Sequence, residues 1–159
     1  MLQGFVPFPP EFAARYREKG YWRDQSLAQE FDAVFKRFAD RTVLIDGDRQ
    51  FTYAELDRVT SNLALNLLEI GIKPLDRIVP TLPNVHEFVL LYFALQKIGC
   101  IPIAALVTHR YAEISQFVNL SGATTCVYPE TSGDFSFSPI IDRIEAENPT
   151  LKIRIVLGN

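Results

Sequence analysis

The chain has 159 residues, 48% of them hydrophobic and 22% charged, enough apolar material for one domain of ordinary size and too much for a disordered tail. A formal net charge of −3 argues against a nucleic-acid binder that works through a basic surface. The two cysteines, Cys100 and Cys126, are too few for a disulfide framework, and each lies in an apolar run, so both are expected to be buried core thiols of a cytoplasmic protein.

In chain order, Met1 to Pro10 lacks a basic start and a continuous apolar run, so no leader is expected, and no segment further on is apolar for long enough to span a membrane. Pro9-Pro10 introduces a helix over Glu11 to Lys19 that Gly20 closes. Ser26 and Gln29 form a capping box ahead of Phe31, Val34, Phe35 and Phe38, an apolar stripe at helical spacing that predicts a core face. Thr42–Asp46 and Arg49–Tyr53 flank Gly47-Asp48, which predicts a hairpin with a tight turn.

A second capping box, Thr52 with Glu55, opens a helix whose buried face is Leu56, Val59, Leu63, Leu67 and Ile70, with Gly71 at its end. Asp76 to Leu82 is the next strand. Asn84 is the expected N-cap of a helix carrying Phe88, Leu91, Leu95 and Ile98, and His86, in its first turn, is expected to face solvent. Cys100 to Leu106 predicts a strand, Ile114, Phe117 and Val118 a helix, and Thr124 to Tyr128 another strand. Thr131 to Ser138 reads as the one loose stretch, followed by a helix over Pro139 to Glu147 and a strand over Lys152 to Leu157. Strands apolar on both faces, alternating with helices, define an α/β fold: a mostly parallel sheet with helices on both faces, preceded by a helical segment and a hairpin. The expected organisation is one domain, with residues 1–50 as N-terminal helices and hairpin and residues 51–159 as the α/β subdomain.

Open parallel sheets bind ligands at the carboxyl ends of their strands. Candidate site residues there are Asn84, in the loop after the first α/β strand, and His109 and Arg110, in the loop after the second. A histidine could move a proton and an arginine could hold a carboxylate or phosphate; the structural alternative is that Arg110 pairs with Glu113 while His109 packs locally. No glycine-rich phosphate loop is present, and Thr131-Ser132-Gly133-Asp134 reads as a surface turn. Asp142 and Glu145 share a helix face that solvation would explain. No nucleophile with an adjacent base and no metal-ligand cluster is legible, so no catalytic, cofactor or metal residue is assigned.

Several strings in a shared order carry a family resemblance. Phe8-Pro9-Pro10-Glu11-Phe12 and Tyr16-Arg17-Glu18-Lys19-Gly20-Tyr21-Trp22 resemble the opening of aryl acid adenylating enzymes, the 2,3-dihydroxybenzoate–AMP ligases of siderophore biosynthesis within the adenylate-forming superfamily. Phe51-Thr52-Tyr53-Ala54-Glu55-Leu56-Asp57 is similar to the first core motif of that superfamily. Phe93 to Ile103 is similar to the second, and His109-Arg110 with Glu113-Ile114 to the stretch after it. Pro80, Thr81 and Val107 depart from the pattern, and a proline inside a central strand predicts a bulge or an edge position.

The resemblance implies a partial large domain: the ATP loop, the aryl-acid pocket and the mobile C-terminal domain with its lysine have no counterpart here. It implies ATP and Mg as cofactors and an aryl carrier protein as partner of the full-length enzyme, with none expected for this portion, which is expected to be inactive alone. The alternative is a non-catalytic α/β interaction module whose apolar surface self-associates or meets the remaining part of the enzyme; neither nucleic acid nor membrane is expected as a partner.

Overall fold

Two helix starts are set by the capping boxes that the sequence announces, in a computed structural model that describes residues 6–158. Met1–Phe5, part of the segment read as no leader, and Asn159 lie outside the described residues. Helix α1 spans Pro10–Glu18, and α2 spans Leu27–Arg37. At α2 the Gln29 N–H donates to Ser26 Oγ at 3.3 Å while Gln29 Oε1 accepts from the Ser26 N–H at 2.8 Å. Strands β1 (Thr42–Asp46) and β2 (Arg49–Thr52) form an antiparallel hairpin whose turn needs the left-handed backbone of Gly47, φ +57°. Helix α3 (Tyr53–Glu69) begins at once, because Thr52 accepts from the Glu55 N–H at 3.2 Å and Glu55 returns the bond to the Thr52 N–H at 2.8 Å. Tyr53, read as strand, is therefore the first residue of the helix.

The remaining elements are β3 (Arg77–Pro80), α4 (His86–Lys97), β4 (Ile101–Pro102), α5 (Tyr111–Ser121), β5 (Thr125–Pro129), β6 (Thr131–Ser132), β7 (Phe135–Ser136), α6 (Ser138–Glu147) and β8 (Ile153–Leu157). Gly122 closes α5 in the left-handed conformation, φ +64°. Strands β4, β3, β5 and β8, in that spatial order, make a four-stranded sheet in which every pairing is parallel. On one face Ile78 and Val127 pack with Ala64, Leu67, Leu91 and Leu95 of α3 and α4. On the other, Val79, Cys126 and Tyr128 pack with Ile114, Val118, Ile141 and Ile144 of α5 and α6. Strands with two covered faces need apolar side chains on both, the pattern that the sequence shows. A third cluster joins Phe35 of α2 to Leu56 of α3 and Leu90 of α4, with Phe31 and Phe93 packed against it.

The structure corrects several expectations. Pro80 sits in an interior strand with unbroken register, Ile78, Val79 and Pro80 opposite Thr125, Cys126 and Val127, so there is neither a bulge nor an edge. Its carbonyl accepts from Ala105 at 3.0 Å, which turns the residue and its missing N–H toward the β4 side, while the next residue, Thr81, donates to Val127 at 2.7 Å. The lost donor thus falls opposite a strand that is regular for only Ile101–Pro102 and continues as irregular chain. Thr131 to Ser138 is not loose: β6 and β7 form a small hairpin, and Phe137 behind them is fully buried.

Candidate functional site

A groove of about 340 Å³ opens at the carboxyl ends of β3 and β4, where open parallel sheets take ligands. The loops after the two strands form it; its walls include Leu82, Pro83, Asn84, Phe88, Leu106 and Thr108. Asn84 is exposed and lines this groove, but it does not cap α4. The N-cap position is Val85, and the first N–H of the helix, that of His86, donates instead to Asp46 Oδ2 at 3.0 Å.

His109 and Arg110 do not join Asn84. The His109 ring turns back on its own loop, Nδ1 accepting from the Leu106 N–H at 3.2 Å, and lies edge-on to Phe117 at 5.4 Å between centroids. The Arg110 guanidinium donates to the carbonyls of Val107 at 2.9 Å and His109 at 2.8 Å. It also lies over the Phe135 ring at 3.9 Å, tying the β4–α5 loop to the β6–β7 hairpin. The expected partner, Glu113, accepts from the Arg110 backbone N–H at 3.0 Å, and that bond holds its carboxyl below the usual range. Asp142 and Glu145, read as a solvated face, both pair with Arg154 on β8, Glu145 at 3.3 Å.

The feature that sequence reasoning missed is a polar clamp between the hairpin and α4. His86 is 8% exposed, which overturns the expectation of a solvent-facing ring. Its Nδ1 lies 2.7 Å from Asp46 Oδ2, and its Nε2 lies 2.7 Å from Arg49 Nη1 and 3.0 Å from Glu87 Oε1. The Phe51 ring stacks on the imidazole at 5.6 Å. Asp46, His86 and Glu87 are the one group of three metal-ligand side chains among the described residues. The Arg49 guanidinium occupies the approach to Nε2, so the arrangement clamps the hairpin to a helix rather than holding a cation. Asp46 and His86 are 40 positions apart, and no local pattern announces their meeting.

The Asp46 carboxyl is held below its usual range, chiefly by the hydrogen bond from the His86 side chain. A depressed folded pKa contributes stability that is present above the unfolded value, about 3.9, and lost as the pH falls below it. Asp46→Asn is therefore expected to lower the melting temperature near neutrality and to make the acid limb of a melting-temperature profile shallower. Identical limbs in the two proteins would rule the clamp out as an acid-sensitive support.

Neither cysteine offers a nucleophile. Burial pushes Cys100 up to about 11 and Cys126 up to about 12, so the thiolate is scarce at neutral pH. Among the described residues the groove walls carry no charged side chain, and no glycine-rich loop borders them.

The fold and this groove belong to a recognisable class: residues 31–158 match the model of the AMP-binding enzyme family, and the chain belongs to that family. Among curated proteins it is 34% identical to a 2,3-dihydroxybenzoate-AMP ligase of Bacillus subtilis over 99% of this chain and 29% of that protein. It is 39% identical to a salicyl-AMP ligase / salicyl-S-ArCP synthetase of Mycobacterium tuberculosis over the same shares, 99% and 29%. The apo structure of Mycobacterium smegmatis MbtA superposes with a TM-score of 0.87 at 36% identity, covering 96% of this chain and 28% of that one. The chain thus spans less than a third of the length of these relatives.

Proposed function

We propose that the chain is the N-terminal part of the large domain of an aryl acid–AMP ligase of siderophore biosynthesis, folded as a single domain and working in the cytoplasm. The likeness to the 2,3-dihydroxybenzoate-AMP ligase over 99% of the chain carries this reading. The whole protein would join 2,3-dihydroxybenzoate or a related aryl acid to ATP, releasing pyrophosphate. It would then pass the acyl group to the thiol of an aryl carrier protein.

Mg-ATP does not fit the residues present. Phosphates need backbone N–H groups in a glycine-rich loop or a cationic side chain, and Mg needs carboxylate oxygens. The groove beside Asn84 presents none of these, and Arg110 spends its guanidinium on two carbonyls and an aromatic face. No catalytic step is therefore assigned to this chain, and the proposal includes that it is inactive alone. What it supplies is a framework: a parallel sheet whose carboxyl edge and loops form one wall of a larger site. Two unpaired, buried cysteines and the absence of a helix long and apolar enough to cross a membrane among the described residues support the assignment of compartment.

ATP–pyrophosphate exchange with 2,3-dihydroxybenzoate tests the inactivity. The isolated chain is expected to give exchange at the level of a reaction without protein; turnover above that level would overturn it.

A further inference from the structure

One wall of the groove is a surface loop that burial does not hold. Residues 106–110 leave the sheet after Ala105, whose N–H donates to the Pro80 carbonyl at 3.0 Å, and enter α5 at Tyr111. Of the groove-lining residues on this loop, Leu106 is 65% exposed and Thr108 is exposed as well. Chain with so little buried apolar surface keeps one shape only where hydrogen bonds fix its backbone.

His109 and Arg110 supply those bonds. The His109 N–H donates to the Leu106 carbonyl at 3.0 Å, and the ring Nδ1 accepts from the Leu106 N–H at 3.2 Å, which closes a turn. Nδ1 accepts only while the ring proton is on Nε2, so this bond assigns the tautomer. Arg110 Nη1 carries two hydrogens, and the carbonyls of Val107 and His109 take both, at 2.9 and 2.8 Å. The turn therefore depends on where the guanidinium rests. That place is set from outside the loop. Phe135 of β7 lies 3.9 Å beneath the guanidinium and is itself edge-on to the fully buried Phe137 at 5.1 Å. On the other side of Arg110, Tyr111 hydrogen-bonds to Glu147 and lies under Arg143 at 3.7 Å, which anchors the start of α5 to α6.

We propose that Arg110 is a positioning residue that couples the β6–β7 hairpin to the groove. The hairpin sets where the guanidinium rests, the guanidinium sets the turn over residues 106–109, and the turn sets the wall. This inference goes beyond the enzymatic reading and does not depend on it. The hairpin does not line the groove, yet a displacement of Phe135 is carried to it through one side chain. An arginine is suited to this link because its planar group can donate along its edge and stack on its face at the same time.

Amide hydrogen exchange, read residue by residue by NMR on the full chain, tests the proposal. Phe135→Leu removes the aromatic face without touching a bond of the loop, and the Leu106 and His109 amides are expected to exchange about threefold to fivefold faster. Arg110→Lys keeps the charge but loses the plane, and the same rise is expected. The double variant is expected to show no further rise, because both changes cut one link. Ala105 and the β5 amides are expected to keep their parental rates, which separates a cut link from a loosened core. Coupling is reciprocal, so Arg110→Lys is also expected to speed exchange in β6–β7. That reading carries the test if circular dichroism shows that Phe135→Leu does not fold. Parental rates at Leu106 and His109 in folded Phe135→Leu, or in β6–β7 of Arg110→Lys, overturn the proposal. So does a double variant in which the two effects multiply, or a rise that Ala105 and β5 share.

Discussion

Replacing Phe137 with alanine is expected to lower the free energy of unfolding by about 3–5 kcal/mol, the usual cost of emptying a fully buried aromatic site. The ring has no exposure and packs with Ile141 and Ile144 of α6. It lies edge-on to Phe135 at 5.1 Å and 6.4 Å from Tyr128, so one side chain binds β5, the β6–β7 hairpin and α6 together. Arg110, which rests on Phe135 and reaches Phe137 at 5.9 Å, loses part of its platform as well. Domains of this size have about 5–15 kcal/mol in total, so the loss takes a large share of it. Urea unfolding followed by circular dichroism measures the change; a loss below about 1 kcal/mol would show that the hairpin is a dispensable surface feature.

The second large effect is expected at Lys97, the last residue of α4. Its ammonium donates to the Asp57 carbonyl at 2.9 Å and to Ser61 Oγ at 2.8 Å, and pairs with the Asp57 carboxylate, all on α3. It also lies 5.7 Å above the Phe35 ring of α2, so it joins three helices. Its side chain is 19% exposed and that of Asp57 35%, which places the pair between the surface and interior regimes. Lys97→Met keeps the apolar stem but leaves the carboxylate and two α3 acceptors without their donor, and is expected to cost about 1–3 kcal/mol. A double-mutant cycle with Asp57→Asn separates the pair from the rest: a coupling energy near zero would mean that Lys97 acts through packing alone.

The sequence carried the architecture because its signals are local. Capping boxes at Ser26 and Thr52, glycines at helix ends and doubly apolar strands each act within a few residues, and the observed elements follow them closely. At Tyr53 the local capping box itself overrode the strand reading, whereas at the start of α4 a distant contact competed with the local signal. Asn84 is a good cap by type, yet Asp46, brought over by the hairpin, takes the first N–H of α4. Pro80 reads as a strand breaker until the topology shows that its missing donor faces the shortest strand of the sheet.

The candidate site was legible only as a place. The loops at the carboxyl edge were found from topology, and Asn84 does line the groove there. His109 and Arg110 look chemical as residue types, but their partners are loop carbonyls, a backbone N–H and aromatic rings, which a linear pattern does not reveal. The family strings, by contrast, were specific in combination, because their order is fixed along one chain while each alone is common.

The chain spans 29% of the 2,3-dihydroxybenzoate-AMP ligase that it resembles, and the proposed reading makes it the framework of such an enzyme. A chimera tests that account most directly. Residues 6–158 replace the matching segment of the Bacillus subtilis enzyme, and ATP–pyrophosphate exchange is measured with 2,3-dihydroxybenzoate. If the transplanted framework carries no reacting group, as proposed, the expected result is exchange within about tenfold of the parent enzyme, a barrier change of about 1.4 kcal/mol. A chimera that folds and shows no exchange would contradict the claim that this chain is the corresponding part of such a ligase.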